Sequence, residues 1–434
     1  MEKILDFIKK KMNKFELFYL KENFTTVIFE NSKLKDIKES IQSGVSLRIL
    51  KDGKMGFAYT KNLKNIEEFF QNAVYSLSYG VEAPFDFPIN KRSFPLNSYD
   101  SSIEEVSTSK VIDECRRVIG ELSMRVSGQI NIYAGFGVES IEIENNYGTS
   151  LTSNFSEYYL TAEILYPASH SAIMRSIIGK SFKEIDKEFI NFVSDIYERS
   201  KREVKIKRGK MKVLFLPETM YVLIWRLLSA TSGKSVYKKE SPVYNKLGEK
   251  LFSSKLTIYD DPLNDEMPFA RSFDDEGVQT KYLPIIEEGV LENFYYDLYY
   301  GGKMGVNSTG HGYKVGFWGE DKISLKPSPL LRHLYIKCGE NNFKELLSMI
   351  DKGLIIGGAL GAHSGNIPNG DFSIGGSPGI YVEKGEIVGY VKDVMIAGNI
   401  YDVMKNIEAI ENKQHSAYMG NFPAILFSDV SITV

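Results

Sequence analysis

Five histidines and two cysteines have the widest chemical reach in this chain, and their spacing excludes more chemistry than it supports. The histidines are His170, His311, His333, His363 and His415. No two stand at a spacing that puts both imidazoles on one helix face, which a helix-borne zinc peptidase site needs. Cys115 and Cys338 are far apart, so neither a disulfide framework nor a cysteine-rich zinc site is expected. Cys115 shares a helical stripe with Val111, Val118, Ile119 and Leu122, which predicts a core thiol. No G-x-S-x-G nucleophile elbow occurs. Gly233-Lys234-Ser235 has the ending of a phosphate loop. However, Leu228 stands where that motif needs glycine, and the tripeptide trails a helix instead of linking a strand to one. The acidic run Asp274-Asp275-Glu276 lacks calcium-loop spacing and predicts a turn on a solvated edge.

What remains is the stretch 353–399, GLIIGGALGAHSGNIPNGDFSIGGSPGIYVEKGEIVGYVKDVMIAGN. It is too rich in glycine for a helix and too apolar for a disordered linker. Missing Cβ atoms let another backbone approach closely, so the run suits contact with an extended peptide. The candidate peptide-binding residues are His363, Asn366, Gly370, Asp371 and Ser373. No catalytic or metal-ligating residue is assigned.

The elements that must position these residues divide at a basic connector, ERSKREVKIKRGKMK. Two domains are expected for 434 residues, at 1–203 and 204–434. The first half predicts an amphipathic helix at 2–14, strands at 16–20, 25–30 and 34–40, and a hairpin turning at Asp52-Gly53. Helices follow at 65–77 and 107–126, then paired strands over 129–166. A capping box, Ser181 to Glu184, is read ahead of another helix. The second half predicts a buried strand at 212–216, an apolar helix at 218–230 and a helix at 343–350 stopped by Gly353. Hairpins are expected at Glu288-Gly289 and Lys384-Gly385. The fold class is α+β: an N-terminal mixed α/β sheet domain, then a β-rich, mostly antiparallel, barrel-like domain.

A formal charge of −3 gives no field for nucleic acid, so no direct nucleic-acid contact is expected. No run of about 18 apolar residues predicts a membrane span. The lysine-studded N-terminus is not a signal peptide, and a cytoplasmic location is expected.

Five segments in order resemble the TldD/PmbA family, PmbA also being called TldE. They are VSLRILKDGKMGFAYT, IENNYGTSL, FDDEGVQTKYLPIIEEGVLENFYYD, NSTGHG and GNIPNGDFSIGGSPGIYVEKGEIVGYVKDVMIAGN. The resemblance covers essentially the whole chain. It implies a cytosolic protein of a heterodimeric, zinc-dependent peptidase that processes peptide-derived products and unfolded peptides. An older name for the family is modulator of DNA gyrase. The catalytic TldD type carries His-Glu-x-x-x-His after a strand and a proline, with a cysteine ligand near the C-terminus. Aligned on KVLFLP, those positions hold Trp225, Arg226 and Ala230, and ENKQHSAYMGNFP contains no cysteine. Zinc needs imidazole or thiolate, and its water needs a carboxylate base. The resemblance therefore implies a TldE-type, non-catalytic subunit. This chain would bind no cofactor, and zinc is expected in a TldD-type partner subunit. A homodimer is the other assembly considered. Two alternatives remain: a stand-alone peptidase built around His363, Asn366, Asp371 and Ser373, or a regulator of gyrase or another partner.

Overall fold

The computed structural model describes residues 2–90, 96–167, 169–316 and 320–434. Its first sheet is built from long strands. In spatial order these are Val81–Glu82, Lys54–Thr60, Lys33–Lys51, Phe15–Glu30, Gln129–Asn145, Ser150–Leu165 and Ala172–Gly179, all antiparallel. The turn at Asp52-Gly53 has φ of 51° and 73°, the left-handed pair that a two-residue hairpin requires. Strands expected at 16–20 and 25–30 are one strand, Phe15–Glu30. The polar residues Lys21, Glu22 and Asn23 do not break it, because neighbours on both sides pair straight through them. The helix Lys187–Ser200 is capped by Asp186, which accepts from the Phe189 N–H at 2.8 Å, and not by the Ser181 box. The cap lies five residues beyond Ser181, so the helix starts later than expected.

The second half is β-rich and mostly antiparallel, so the α+β class holds. Its larger sheet runs Ala359–Leu360, Asp371–Gly376, Met395–Asn399, Ile425–Thr433, Gly209–Phe215, Lys352–Ile356, Gly379–Glu383 and Glu386–Val391, with Ile407–Ile410 also on Ile425–Thr433. Gly209–Phe215 is central. Its Val213 and Phe215 enter one core with the helix Tyr221–Thr231 and the strand residues Phe372 and Ile374. Its Leu214, and Leu216 just past its end, enter another, shared with the helices Thr108–Ser123 and Lys187–Ser200 and with Ile132 and Leu160 of the first sheet. Burial on both faces explains why the strand reads as continuous apolar sequence. Gly353 does not stop a helix. It sits in Lys352–Ile356, where a Cβ would lie 2.3 Å from the Lys212 carbonyl oxygen, so glycine allows the close parallel pairing. A smaller sheet is built on Ile258–Asp260, Leu283–Glu287 and Leu334–Ile336.

A buried ionic cluster ties the two halves together. Arg48 of the first sheet holds Glu16 in a two-pronged pair at 2.9 and 2.7 Å and reaches Glu276 at 2.6 Å. Asp274, Asp275 and Glu276 are thus buried, contrary to the solvated turn expected for them. Asp274 accepts from the N–H groups of Glu276, Val278 and Gly312. Asp275 pairs with Arg271 at 2.8 Å. These partners replace the water that the sequence reading assumed.

Asp297 borders this cluster and caps the helix Leu298–Met304 through the Tyr300 N–H at 2.7 Å. Burial, and then the neighbouring Glu276 charge, push its carboxyl up to about 8. An unfolded aspartate titrates near 3.9, so between these values the folded chain binds the extra proton and loses stability as pH rises. Asp297→Asn keeps the cap acceptor but removes the titration. From pH 5 to pH 9 the variant is expected to gain at least about 1 kcal/mol on the wild type, the worth of roughly one pKa unit. Urea melts at the two pH values measure this, and parallel curves would refute it.

Candidate functional site

The helix Tyr221–Thr231 and the glycine-rich run form one unit. The central strand Gly209–Phe215 leads through the turn Pro217–Thr219 into the helix, laying it along residues 356–371. That run exposes many carbonyls and few side chains able to satisfy them. The helix segment supplies the donors. Thr219 Oγ1 donates to the Ile356 carbonyl at 3.1 Å, and the Tyr221 hydroxyl to the Ala359 carbonyl at 3.2 Å. Arg226 donates to the carbonyls of Asp371 at 2.6 Å, Ala362 at 3.0 Å, Ser364 at 2.7 Å and Val222 at 2.7 Å. The guanidinium is fully buried, and burial lowers its pKa. Its fork of donors suits several fixed acceptors better than an ammonium would.

The donor set here does not fit zinc. Trp225 is half-buried, Arg226 is a buried cation, and Ala230 lies in the apolar core. None offers a lone pair to a metal, and the guanidinium repels one. Among the described residues, no group of three His, Cys, Asp or Glu side chains converges for a metal ion.

Beside this unit is a cleft of about 570 Å³, lined among others by Gly361, Ser364, Ser373, Gly375, Lys392 and Asp393. Of the five candidate residues, Ser373 lines the cleft. Asp371 begins the same strand, and alternation places it on Ser373's outward face, while Phe372 and Ile374 point into the core. Its carboxylate accepts from the Asn399 amide at 2.9 Å. Gly370 has φ of 85° and its N–H donates to the Ile367 carbonyl at 3.0 Å, so it shapes the turn. The Asn366 side chain accepts from the Asn369 N–H at 3.3 Å, and its carbonyl from the Asp371 N–H at 3.1 Å. His363 is exposed. Thr219 and Tyr221 were missed by sequence reasoning, because nothing local marks which hydroxyl meets a distant carbonyl.

The other functional-looking residues have structural roles. His311 is buried between Thr309 at 2.9 Å and Asp260 at 3.3 Å. Burial pushes His333 down to about 4. Burial, then the Glu114 charge, push the Cys115 thiol up to about 12, as a core thiol should behave. The Gly233 N–H is spent on the Tyr295 carbonyl at 2.8 Å, so it offers no phosphate cradle.

A strand, a proline turn and a buried helix packed along a glycine-rich run characterise the β-rich half. The sequence model of the PmbA/TldA metallopeptidase C-terminal domain matches residues 208–434, and that of PmbA/TldA metallopeptidase domain 1 matches 15–76. The chain belongs to this PmbA/TldD family. A metalloprotease of Methanocaldococcus jannaschii is 24% identical over 89% of this chain and 86% of its own length. The metalloprotease PmbA of Escherichia coli O157:H7 is 30% identical over 48% of this chain and 42% of its own length. The crystal structure of TldE from Thermococcus kodakarensis has the same fold, with TM-score 0.91, 21% identity and all of both chains covered. Among the described residues, no helix is long and apolar enough to cross a membrane.

Proposed function

We propose that this chain is a non-catalytic, TldE-type subunit that completes a zinc peptidase with a TldD-type partner. Its part is to help hold an extended peptide in the cleft beside residues 361–376. The observation that carries this reading is Arg226. Where the catalytic type has its glutamate base, this chain has a buried cation committed to four carbonyls. A terminal strand of only two residues, Ala359–Leu360, borders the cleft and leaves backbone for a peptide strand to pair with. Zinc and its water-activating base then come from the partner.

Co-expression with a TldD-type chain tests this. The expected result is an equimolar complex that cleaves an unstructured peptide, with cleavage abolished by chelator and by omission of either chain. If this chain alone cleaves the peptide and a chelator stops it, the proposal fails. Sedimentation of the isolated chain separates a homodimer from a subunit awaiting its partner.

A further inference from the structure

A second cavity, of about 190 Å³, lies behind Leu360 and is lined by Glu163, His170, Glu218, Tyr221 and Gly358 as well as Leu360 itself. Leu360 and Ser377 also line the larger cleft, so the two spaces share a wall. Glu218 is 7% exposed, and among the described residues neither of its carboxylate oxygens accepts a hydrogen bond. Arg175 approaches Oε1 at 3.4 Å, beyond a short charged hydrogen bond, and is itself bonded to His415 Nδ1 and stacked over Phe192 at 4.1 Å. A buried carboxylate on a cavity wall with no hydrogen bond to either oxygen needs a donor. Glu163, half-buried on the strand Ser150–Leu165, adds a second carboxylate to the lining, one oxygen of which accepts from the Asn131 amide at 3.5 Å.

We infer that this cavity binds a primary ammonium group: the N-terminus of a peptide whose following residues lie in the larger cleft. The inference rests on the peptide-holding role proposed above. The chemistry favours an ammonium over a metal ion. The two carboxylates accept hydrogen bonds, while no three ligating side chains converge among the described residues. The small volume suits one charged end group, whereas the cleft of about 570 Å³ suits several residues. Burial raises the pKa of both Glu218 and Glu163, Arg175 opposing it at Glu218, and a docked cation would lower both. A lysine side chain carries the same group, so the test separates the two sources.

Calorimetry on the whole chain would use three probes: Ala-Ala-Ala-Ala-Tyr-amide, its N-acetylated form, and an N-acetylated form with one alanine replaced by lysine. The free amine should bind about tenfold tighter than the acetylated lysine-free peptide, the scale of one charge-assisted hydrogen bond. Glu218→Gln should erase that difference while leaving the acetylated peptide's affinity unchanged. Should Glu218→Gln not fold, Glu163→Gln on the half-buried strand should shrink the difference. Tight binding of the acetylated lysine peptide would support the pocket with a side chain as its source. Equal binding of free and acetylated peptides overturns the pocket and leaves the cleft standing. If no peptide binds, the cleft reading falls, and L-alaninamide becomes the probe. Its binding to wild type and not to Glu218→Gln would keep the pocket, and absence of binding would overturn it.

Discussion

Replacing Arg226 with alanine should cost about 3 kcal/mol of stability and loosen residues 361–371 far more than the rest of the chain. The side chain donates to four carbonyls, three of them on the glycine-rich run. Hydrogen bonds from a charged donor contribute about 1.5–3 kcal/mol each, and acceptors left without a donor lose further. The cost of burying the guanidinium offsets part of that sum, so the net falls well below four full bonds. Arg226→Lys should recover only part, since one ammonium cannot span acceptors spread from Val222 to Asp371. Arg226→Glu, which restores the base of the catalytic type, should be worst, because a carboxylate would face the same carbonyl oxygens. Urea melts give the energies, and amide exchange over 361–371 gives the location. A melt for Arg226→Ala within about 0.5 kcal/mol of wild type, with unchanged exchange, would show that the arginine does not hold the run.

Sequence and structure agree where one residue type forces one conformation. The hairpins at Asp52-Gly53, Glu288-Gly289 and Lys384-Gly385 were legible because each pair takes positive φ, which few residues tolerate. The α+β class followed from period and turn spacing. Partnership was not legible. Asp274-Asp275-Glu276 reads as a solvated turn because nothing in the run announces that Arg48, 226 residues or more earlier, and Gly312 will meet it. Arg226 was read as a residue that excludes zinc. Its positive role was hidden, because its acceptors are backbone carbonyls about 136 to 145 residues away. The glycine-rich run is a place of close backbone approach, but the approaching backbone is this chain's own: a Cβ at Gly358 would lie 2.1 Å from the Ser377 carbonyl oxygen, and one at Gly365 2.7 Å from that of Asp371.

The second large effect concerns the ionic cluster between the halves. Arg48→Met should cost about 3–5 kcal/mol, the usual result of stripping one partner from a buried ion pair. Arg48 faces Glu16 directly across two paired strands, and all three members of the cluster are at most 3% exposed. Methionine fills the stem but leaves the Glu16 and Glu276 carboxylates in the interior without their cation. Lys314 replaces it only in part: its ammonium is bonded to Ser46, and burial, then the Arg48 charge, push its pKa down to about 7, so the variant relieves only the second of these. The cost therefore arises mainly from orphaned negative charge and should respond to protons. Burial already raises the Glu16 carboxyl above its ordinary range against the opposing Arg48 charge, and without Arg48 that carboxyl titrates higher still in the folded chain. The variant's deficit should then be largest at neutral pH and shrink as pH falls toward the ordinary glutamate range near 4.3. Adding Glu16→Gln and Glu276→Gln should restore most of the loss at neutral pH. A glutamine at 276 can still accept from the Leu298 N–H, which Glu276 binds at 2.7 Å. Such recovery is non-additive by nature, since all three residues share one network. Melts of the single and triple variants across pH decide the matter. A triple variant no more stable than Arg48→Met would mean that packing, and not uncompensated charge, sets the cost.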